Sequence, residues 1–419
     1  MNFKIIMAAI ALLPITLCAK SYGLEELIAQ GSKTNQLLES RRLQILAKER
    51  EVDAGESAFA PTLGVGANYL NNNVSSVAMP GETLSGYATL GLEIFDGGRR
   101  NALVNSKIYQ RQISIFEKEA FEKSLSLNII NNFYTIKISK SNLEALQAAS
   151  KELEAQLNRI RRFLTVGMAA QEDVDRLQAQ YDDNGYLIEN IKLEIITNEE
   201  NLWLNSGINT KELLENHFVE PRNVQYEIYE KTKILQNSAL AIGEQADAVA
   251  SGYLPQIGLN DTYTKSDYNK LETIPGLSGG GFLIDEQNRL SITANLRIFD
   301  GGRIKEEREA LQYQKMSVAS ESLHSQSEQQ MNFKIANSRL QTTRAKIKSA
   351  QSALKASQST YRVIVKKFEN GLVDNIAFLD ALQQQTRAEA AYRATLYSYE
   401  IAKSIYYFYA GKNPREYIQ

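Results

Sequence analysis

The sequence predicts a mixed α/β membrane protein, mostly helical, in which one unit is written twice: a β-hairpin followed by a long antiparallel coiled-coil hairpin. Three observations predict this. The hexapeptide Ile94-Phe95-Asp96-Gly97-Gly98-Arg99 returns unchanged as Ile298-Phe299-Asp300-Gly301-Gly302-Arg303. Neither Gly nor Pro occurs from Arg99 to Val166, or from Arg303 to Asn370. Ahead of each hexapeptide the apolar residues alternate with polar ones, and after it they recur about every three and a half residues.

The repeat extends beyond the hexapeptide. Gly167 and Gly371 stand as far apart as its two copies. Upstream, Ala60–Tyr69 (APTLGVGANY) resembles Leu254–Tyr263 (LPQIGLNDTY). The separation is shorter there, so the second β-hairpin has a loop longer by about ten residues.

Residues 1–21 read as a secretory signal. Lys4 supplies the positive end, Ile5–Leu13 the apolar run, and Ala19 and Ser21 the small residues of a cleavage site. That run is too short to span a membrane. The single cysteine, Cys18, lies within the signal, and Leu17 stands where a lipid-anchor site wants a small residue. A mature chain without Cys18 has no thiol for disulfides or thiolate metal sites.

An N-terminal helix is expected over 22–58. The first β-hairpin follows over 59–96: Leu63, Val65, Ala67 and Tyr69 form one apolar row, and Gly86, Ala88, Leu90, Leu92 and Ile94 the other. Residues 97–206 are the first helical hairpin, with its tip near Gly167. Its second arm carries Val174, Leu177, Tyr181, Asn184, Ile188, Ile191, Ile195, Asn198 and Leu202, in alternating steps of three and four that mark a heptad seam. Residues 207–222 join the repeats, and 223–253 form the helix that leads into the second.

The second β-hairpin covers 254–300. Asp261 interrupts the row of Ile257, Leu259 and Tyr263, while Leu290, Ile292, Ala294, Leu296 and Ile298 alternate cleanly. The second helical hairpin covers 301–410, with its tip near Gly371 and a seam of Leu340, Ile347, Leu354, Tyr361 and Phe368; a tail follows over 411–419. A continuous helix through either Gly- and Pro-free run would reach about 100 Å, far beyond a compact domain. At the strand-to-helix joints, Asp96 and Asp300 are good helix N-caps, and Gly97, Gly98, Gly301 and Gly302 permit the sharp change of direction.

Several function classes are excluded. A content of 43% hydrophobic and 23% charged residues argues against wholesale disorder, and a net charge of −2 does not mark a nucleic-acid binder. His217 and His324 lie in different halves without metal-ligand spacing. The stretch Gly276–Gly281 (GLSGGG) lacks the Lys-Ser/Thr of a phosphate loop, and the Asp-Gly-Gly-Arg joints have no dinucleotide fingerprint around them. No enzyme, cofactor or metal is expected. The tyrosines of the last helix (Tyr392, Tyr399, Tyr406, Tyr407, Tyr409) read as packing residues. Arg159, Arg161, Arg162, Lys366 and Lys367 read as a solvated face suited to the helix dipole, with an acidic partner surface as the other reading.

Strands of about nine to twelve residues match an outer-membrane barrel strand. Four strands cannot close a barrel, and open edges cannot face lipid, where each unpaired backbone group costs several kcal/mol. Strands that meet lipid therefore need other copies of the chain to pair their edges. Two copies would fill the interior with side chains; three would leave an open lumen, lined by Ser291, Thr293, Asn295, Arg297, Thr89 and Glu93. A coiled-coil scaffold in the periplasm or on the cell surface, without a pore, is the alternative; it leaves the four strands unexplained.

Joints, tips and Pro-free helices together resemble the TolC-type outer membrane efflux protein family over essentially the whole mature length. The tips that carry the resemblance are Val166–Asp182 (VGMAAQEDVDRLQAQYD) and Asn370–Ala381 (NGLVDNIAFLDA). The resemblance implies a homotrimer with a twelve-stranded barrel in the outer membrane and an α-helical tunnel through the periplasm. It implies tips that dock on a periplasmic adaptor protein, which couples them to an inner-membrane pump or an ABC exporter. Small molecules or proteins would then pass to the exterior without a chemical step. Gly167, Met168, Gly371 and Leu372 match the family's adaptor-contact tips, and Asp173 its first-hairpin tip aspartate. Of the two aspartates that often ring the narrowest point, Asp380 matches the second, but Ala377 replaces the first. Val373 stands where some members carry a latching arginine. Asp374 is either a substitute charge at the constriction or a helix N-cap.

Overall fold

The computed structural model describes residues 21–76, 78–222, 224–270 and 283–419. Residues 1–20 of the signal segment, with Cys18, and the Gly276–Gly281 loop fall outside the described residues.

The elements run α1 (Leu24–Thr34), α2 (Gln36–Ser57), β1 (Thr62–Asn71), β2 (Glu82–Phe95), α3 (Arg99–Thr165), α4 (Gln171–Ser206) and α5 (Glu230–Ala250). They continue through β3 (Gln256–Asn269), β4 (Glu286–Asn295), α6 (Arg303–Glu369) and α7 (Asn375–Tyr409). Both α3 and α6 are unbroken helices of 67 residues. The stretch 22–58 holds two helices rather than one. The break is at Asn35, whose Oδ1 accepts from the amides of Leu37 (3.0 Å) and Leu38 (3.1 Å) and so caps α2.

The chain divides into two compact units. One holds Phe121–Glu227, Gln330–Gln419 and the described residues up to Glu39. Its core joins Leu24, Leu27 and Ile28 of α1 to Ile129, Ile130, Phe133 and Tyr134 of α3, Leu202 of α4, and Ala402, Tyr406 and Tyr407 of α7. Phe218, from the segment between the repeats, is buried in the same cluster. Its amide donates to Glu400 Oε2 (2.7 Å), and its carbonyl accepts from Lys403 Nζ (2.7 Å). Glu400 and Lys403 are themselves a buried ion pair at 2.8 Å. A buried charge is tolerated when paired and hydrogen-bonded, and the linker backbone supplies the additional partners. Tyr407 donates to Val219 O (3.0 Å) and Tyr134 to Asn216 O (2.9 Å). Burial raises both hydroxyl pKa values, that of Tyr407 to about 12. The late tyrosines therefore hold the linker as well as pack.

A second cluster in this unit binds the helical hairpins near their tips: Ala149, Leu153 and Leu157 of α3, Val174 and Leu177 of α4, and Phe378, Leu379 and Leu382 of α7. The heptad seam of α4 is buried at Val174, Leu177, Asn184, Ile195 and Leu202. Asn184 is the polar member, and its side-chain amide donates to Leu146 O at 3.0 Å. A single buried Asn of this kind fixes helix register.

The other unit holds Ser40–Ala120 and Ile228–Gln329, and with them the sheet. Its four strands are antiparallel in the order β1-β2-β3-β4. Side chains directly opposite one another share a face, and the register brings the apolar rows together. Leu63, Leu90, Asp261 and Leu290 run straight across the four strands, and Leu92, Leu259 and Ile292 form the next row. This apolar face is open: Val65 is 83% exposed and Ile292 69%. Thr62, Gly91, Asn260 and Ser291 align on the opposite, polar face. The inner strands β2 and β3 have 14 residues each, the edge strands β1 and β4 only 10.

Candidate functional site at the joints and the helix tips

At the first joint, Asp96 Oδ1 accepts from the amide of Gly98 (3.1 Å), and Oδ2 from the amide (2.8 Å) and Nε (3.0 Å) of Arg100. The Arg100 guanidinium donates onward to Ala58 O (3.1 Å) and Glu93 O (2.8 Å), and lies 4.7 Å from the centre of the Phe59 ring. Asp96 is 4% exposed and Arg100 8%. Burial works to raise the Asp96 pKa, but the bonds from the Arg100 amide and guanidinium outweigh it and hold the carboxyl below its usual range. Gly97 has φ +69°, and a Cβ there would meet Leu254 Cβ at 2.7 Å and Ser251 O at 2.8 Å.

The second joint repeats the cap and lacks the seal. Asp300 accepts from the amides of Gly302 (2.9 Å) and Ile304 (2.9 Å), which hold its carboxyl low. Ile304 stands where Arg100 stands in the first joint. Gly301 has nothing within 4 Å of a built Cβ. Ile298 is 92% exposed and Phe299 86%. Arg100 escaped the sequence reading because it lies one residue past the repeated hexapeptide, where the two copies first differ.

Both tips close in the same way. Met168 N donates to Phe163 O (2.8 Å) and Gly167 N to Leu164 O (3.0 Å); Leu372 N donates to Lys367 O (2.8 Å) and Gly371 N to Phe368 O (3.0 Å). This is the Schellman pattern, which requires a left-handed residue at the glycine position. Gly167 and Gly371 have φ of +75° and +70°. The residues that follow them, Met168 (74% exposed) and Leu372 (72%), leave their apolar side chains bare.

Asp374 is the N-cap of α7, its Oδ1 accepting from Ala377 N at 2.9 Å. Asp173 sits in the first turn of α4, and its carbonyl accepts from Asn375 Nδ2 at 3.4 Å. The starts of α4 and α7 are thereby brought together. Asp380 lies farther along α7, exposed, and accepts from Gln384 Nε2 at 2.9 Å. Ala377 and Val373 are half-buried. Arg159 joins the two hairpins: it donates to Glu369 O (3.2 Å) and lies over the rings of Phe163 (5.4 Å) and Phe368 (5.6 Å). Arg161 donates to Gln178 Oε1 at 2.6 Å.

His217 Nδ1 is 3.5 Å from Glu400 Oε1, and His324 lines a surface groove with Lys231 and Glu328. Among the described residues, no group of three or more His, Cys, Asp or Glu is arranged to hold a metal ion, and no helix is long and apolar enough to cross a membrane.

The family model for outer membrane efflux proteins matches residues 27–207 and 237–411. The chain is 22% identical to the outer membrane protein TolC of Salmonella enteritidis, over 92% of this chain and 83% of that one. Its fold is similar to the CmeC outer membrane channel of Campylobacter jejuni, with a TM-score of 0.82 at 14% identity over 93% of this chain and 85% of the other. It is also similar to the outer membrane protein VceC of Vibrio cholerae, with a TM-score of 0.79 at 14% identity over 93% and 96% of the two chains.

Proposed function

The chain belongs to the outer membrane efflux protein family, and we propose that three copies close their four-stranded sheets into one twelve-stranded barrel. That barrel, continued by a tunnel of α-helices, is the outer membrane duct of a tripartite export system. One observation carries the reading. Among the described residues, the sheet has an open apolar face and two unpaired edges, at β1 and β4. An apolar face suits lipid, and lipid forbids free strand edges, so the edges must pair between copies.

Cargo passes without a chemical step, so the work is gating. The tips at Gly167, Met168, Gly371 and Leu372 dock on a periplasmic adaptor protein; the bare Met168 and Leu372 side chains support this. An inner-membrane pump or ABC exporter delivers small molecules or proteins to the adaptor. Asp380, Asp374 and Asp173 lie at or near the narrow end. The constriction is a single ring of Asp380, since Ala377 removes the second. Outward rotation of the hairpins separates the three copies of Asp380 and relieves their mutual repulsion. In the closed state the same charges concentrate cations at the mouth. Asp374 caps its helix whatever charge it adds to the mouth.

Single-channel recording in planar bilayers tests this. The wild-type protein is expected to conduct with cation preference and to be blocked by polyvalent cations. Asp380→Ala is expected to weaken both. Unchanged selectivity and block would remove Asp380 from the constriction, and absence of conductance would contradict the duct.

A further inference from the structure

The apolar cluster that binds the helical hairpins near their tips does not close at one end. There α3, α4 and α7 surround a cavity of about 120 Å³. Its wall is apolar: Leu146, Ala149 and Leu153 of α3, Leu187 of α4, and Leu379 and Leu382 of α7. Leu153, Leu379 and Leu382 are buried, and Ala149 is the small side chain among them. Protein interiors are close-packed, so a gap of this size beside a buried cluster is exceptional. An apolar wall offers water few partners, whereas an apolar void of about 150 Å³ accommodates benzene.

One edge of the cavity is polar. Gln383 Nε2 donates to Gln180 Oε1 at 2.7 Å and so ties α7 to α4. Each amide keeps its other polar atom without a hydrogen bond among the described residues. Asp183 and Arg387, both exposed, stand at the rim where the cavity meets solvent.

We propose that this cavity binds a small aromatic molecule, a single ring carrying one hydroxyl, and that the bound ring clamps the two helical hairpins together. The ring fills the space among Ala149, Leu153, Leu379 and Leu382. The hydroxyl reaches the free amide atoms of Gln180 and Gln383, since it can donate to one and accept from the other. A plain alkyl chain would cover those two atoms without pairing them, which costs binding free energy. Helices α3 and α4 form the first hairpin and α7 is an arm of the second, so the ring touches both. Leu379 and Leu382 flank Asp380 along α7. The clamp rests on the duct reading above, in which the mouth opens by outward rotation of the hairpins. Rotation of α7 away from α3 parts Leu379 and Leu382 from Ala149 and Leu153 and dismantles the cavity. A ligand that binds only the closed arrangement shifts the population toward it.

The mature protein in detergent, titrated with para-fluorophenol, tests the site. Fluorine NMR should show a shift that saturates at about millimolar ligand, in keeping with so few contact atoms. Ala149→Leu fills the cavity, and should abolish the saturable shift while keeping the wild-type oligomer mass. Gln383→Met removes the amide at nearly the same length, and should weaken binding about threefold. In planar bilayers, saturating para-fluorophenol should lower the open fraction of the wild-type channel by about twofold or more and leave that of Ala149→Leu unchanged. No saturable shift in the wild type, or an equal shift in Ala149→Leu, would overturn the site. Equal binding by Gln383→Met would overturn the assignment of the hydroxyl, and an unchanged open fraction despite binding would overturn the clamp. A wild-type protein that binds the ligand but never conducts would instead overturn the duct reading and leave the site standing.

Discussion

The joints at Asp96 and Asp300 share six consecutive residues and little of their surroundings. Around Asp96 the turn is sealed from both sides: Arg100 ties it to Ala58 and Glu93, and Leu254 presses on Gly97. Around Asp300 the cap is intact, but Ile298 and Phe299 stand in the open. Two causes act: Ile304 replaces Arg100, and the two strands differ in their place in the sheet. Strand β2 has a neighbour on each side, while β4 is an edge. The hexapeptide specifies the turn; the residue after it and the neighbouring strand specify whether the turn is closed. An identical motif in an unequal setting thus locates the missing surface.

The comparison is sharpened most by Arg100→Ala. Removing the guanidinium leaves the Asp96 carboxylate buried without its charged partner, a loss of about 3–5 kcal/mol. The arginine of the second joint, Arg303, bridges only to Glu307 one turn on, in an exposed pair. Arg303→Ala should cost about 0.3–0.5 kcal/mol. Denaturant unfolding in detergent measures both, and equal losses would dissolve the contrast.

Next in size is Gly97→Ala against Gly301→Ala. Either alanine carries the strain of a left-handed residue, about 1–2 kcal/mol. Only at Gly97 does the new Cβ also strike atoms of its own chain, at 2.7 and 2.8 Å. Gly97→Ala should therefore lower the yield of folded chain. Gly301→Ala should lower it less, read by gel filtration in detergent. A folding defect at Gly301 as large as at Gly97 would break the comparison.

The smallest effect concerns pH. Both joint carboxyls have a folded pKa below the unfolded value of about 3.9. Their stabilisation is present above that value and is lost as pH falls through the lowered folded values. Asp96→Asn and Asp300→Asn should each flatten the acid limb of the unfolding curve, the first by removing a carboxylate bonded to Arg100 and the second one bonded to the amides of Ile304 and Gly302. An acid limb unchanged in either variant would mean that its carboxylate adds nothing to the joint.

The strands, the seams and both tips were legible because each has a periodic or punctuating signal: alternation before Phe95, heptads from Val174 to Leu202, and a lone glycine at 167 and 371. The cap at Asp374 was legible as one of two readings. The seal at Arg100 was not, because its partners Ala58 and Glu93 are carbonyls brought there by the sheet. The break at Asn35 had a signal that went unused: Gly31, Ser32 and Thr34 are poor helix formers, and Asn35 is a good N-cap for the run that starts at Gln36. Glu400 and Lys403 look like surface charges in the sequence; they are buried because the linker backbone at Phe218 satisfies them. The roles of Asp380, Met168 and Leu372 rest on the family pattern, since each acts on another copy or on another protein.

The most direct test is the native mass of the mature protein extracted from outer membranes in mild detergent. A mass of three copies is predicted, because a four-stranded sheet with two free edges supplies one third of a twelve-stranded wall. A homogeneous single-copy mass from the same membranes would contradict the account.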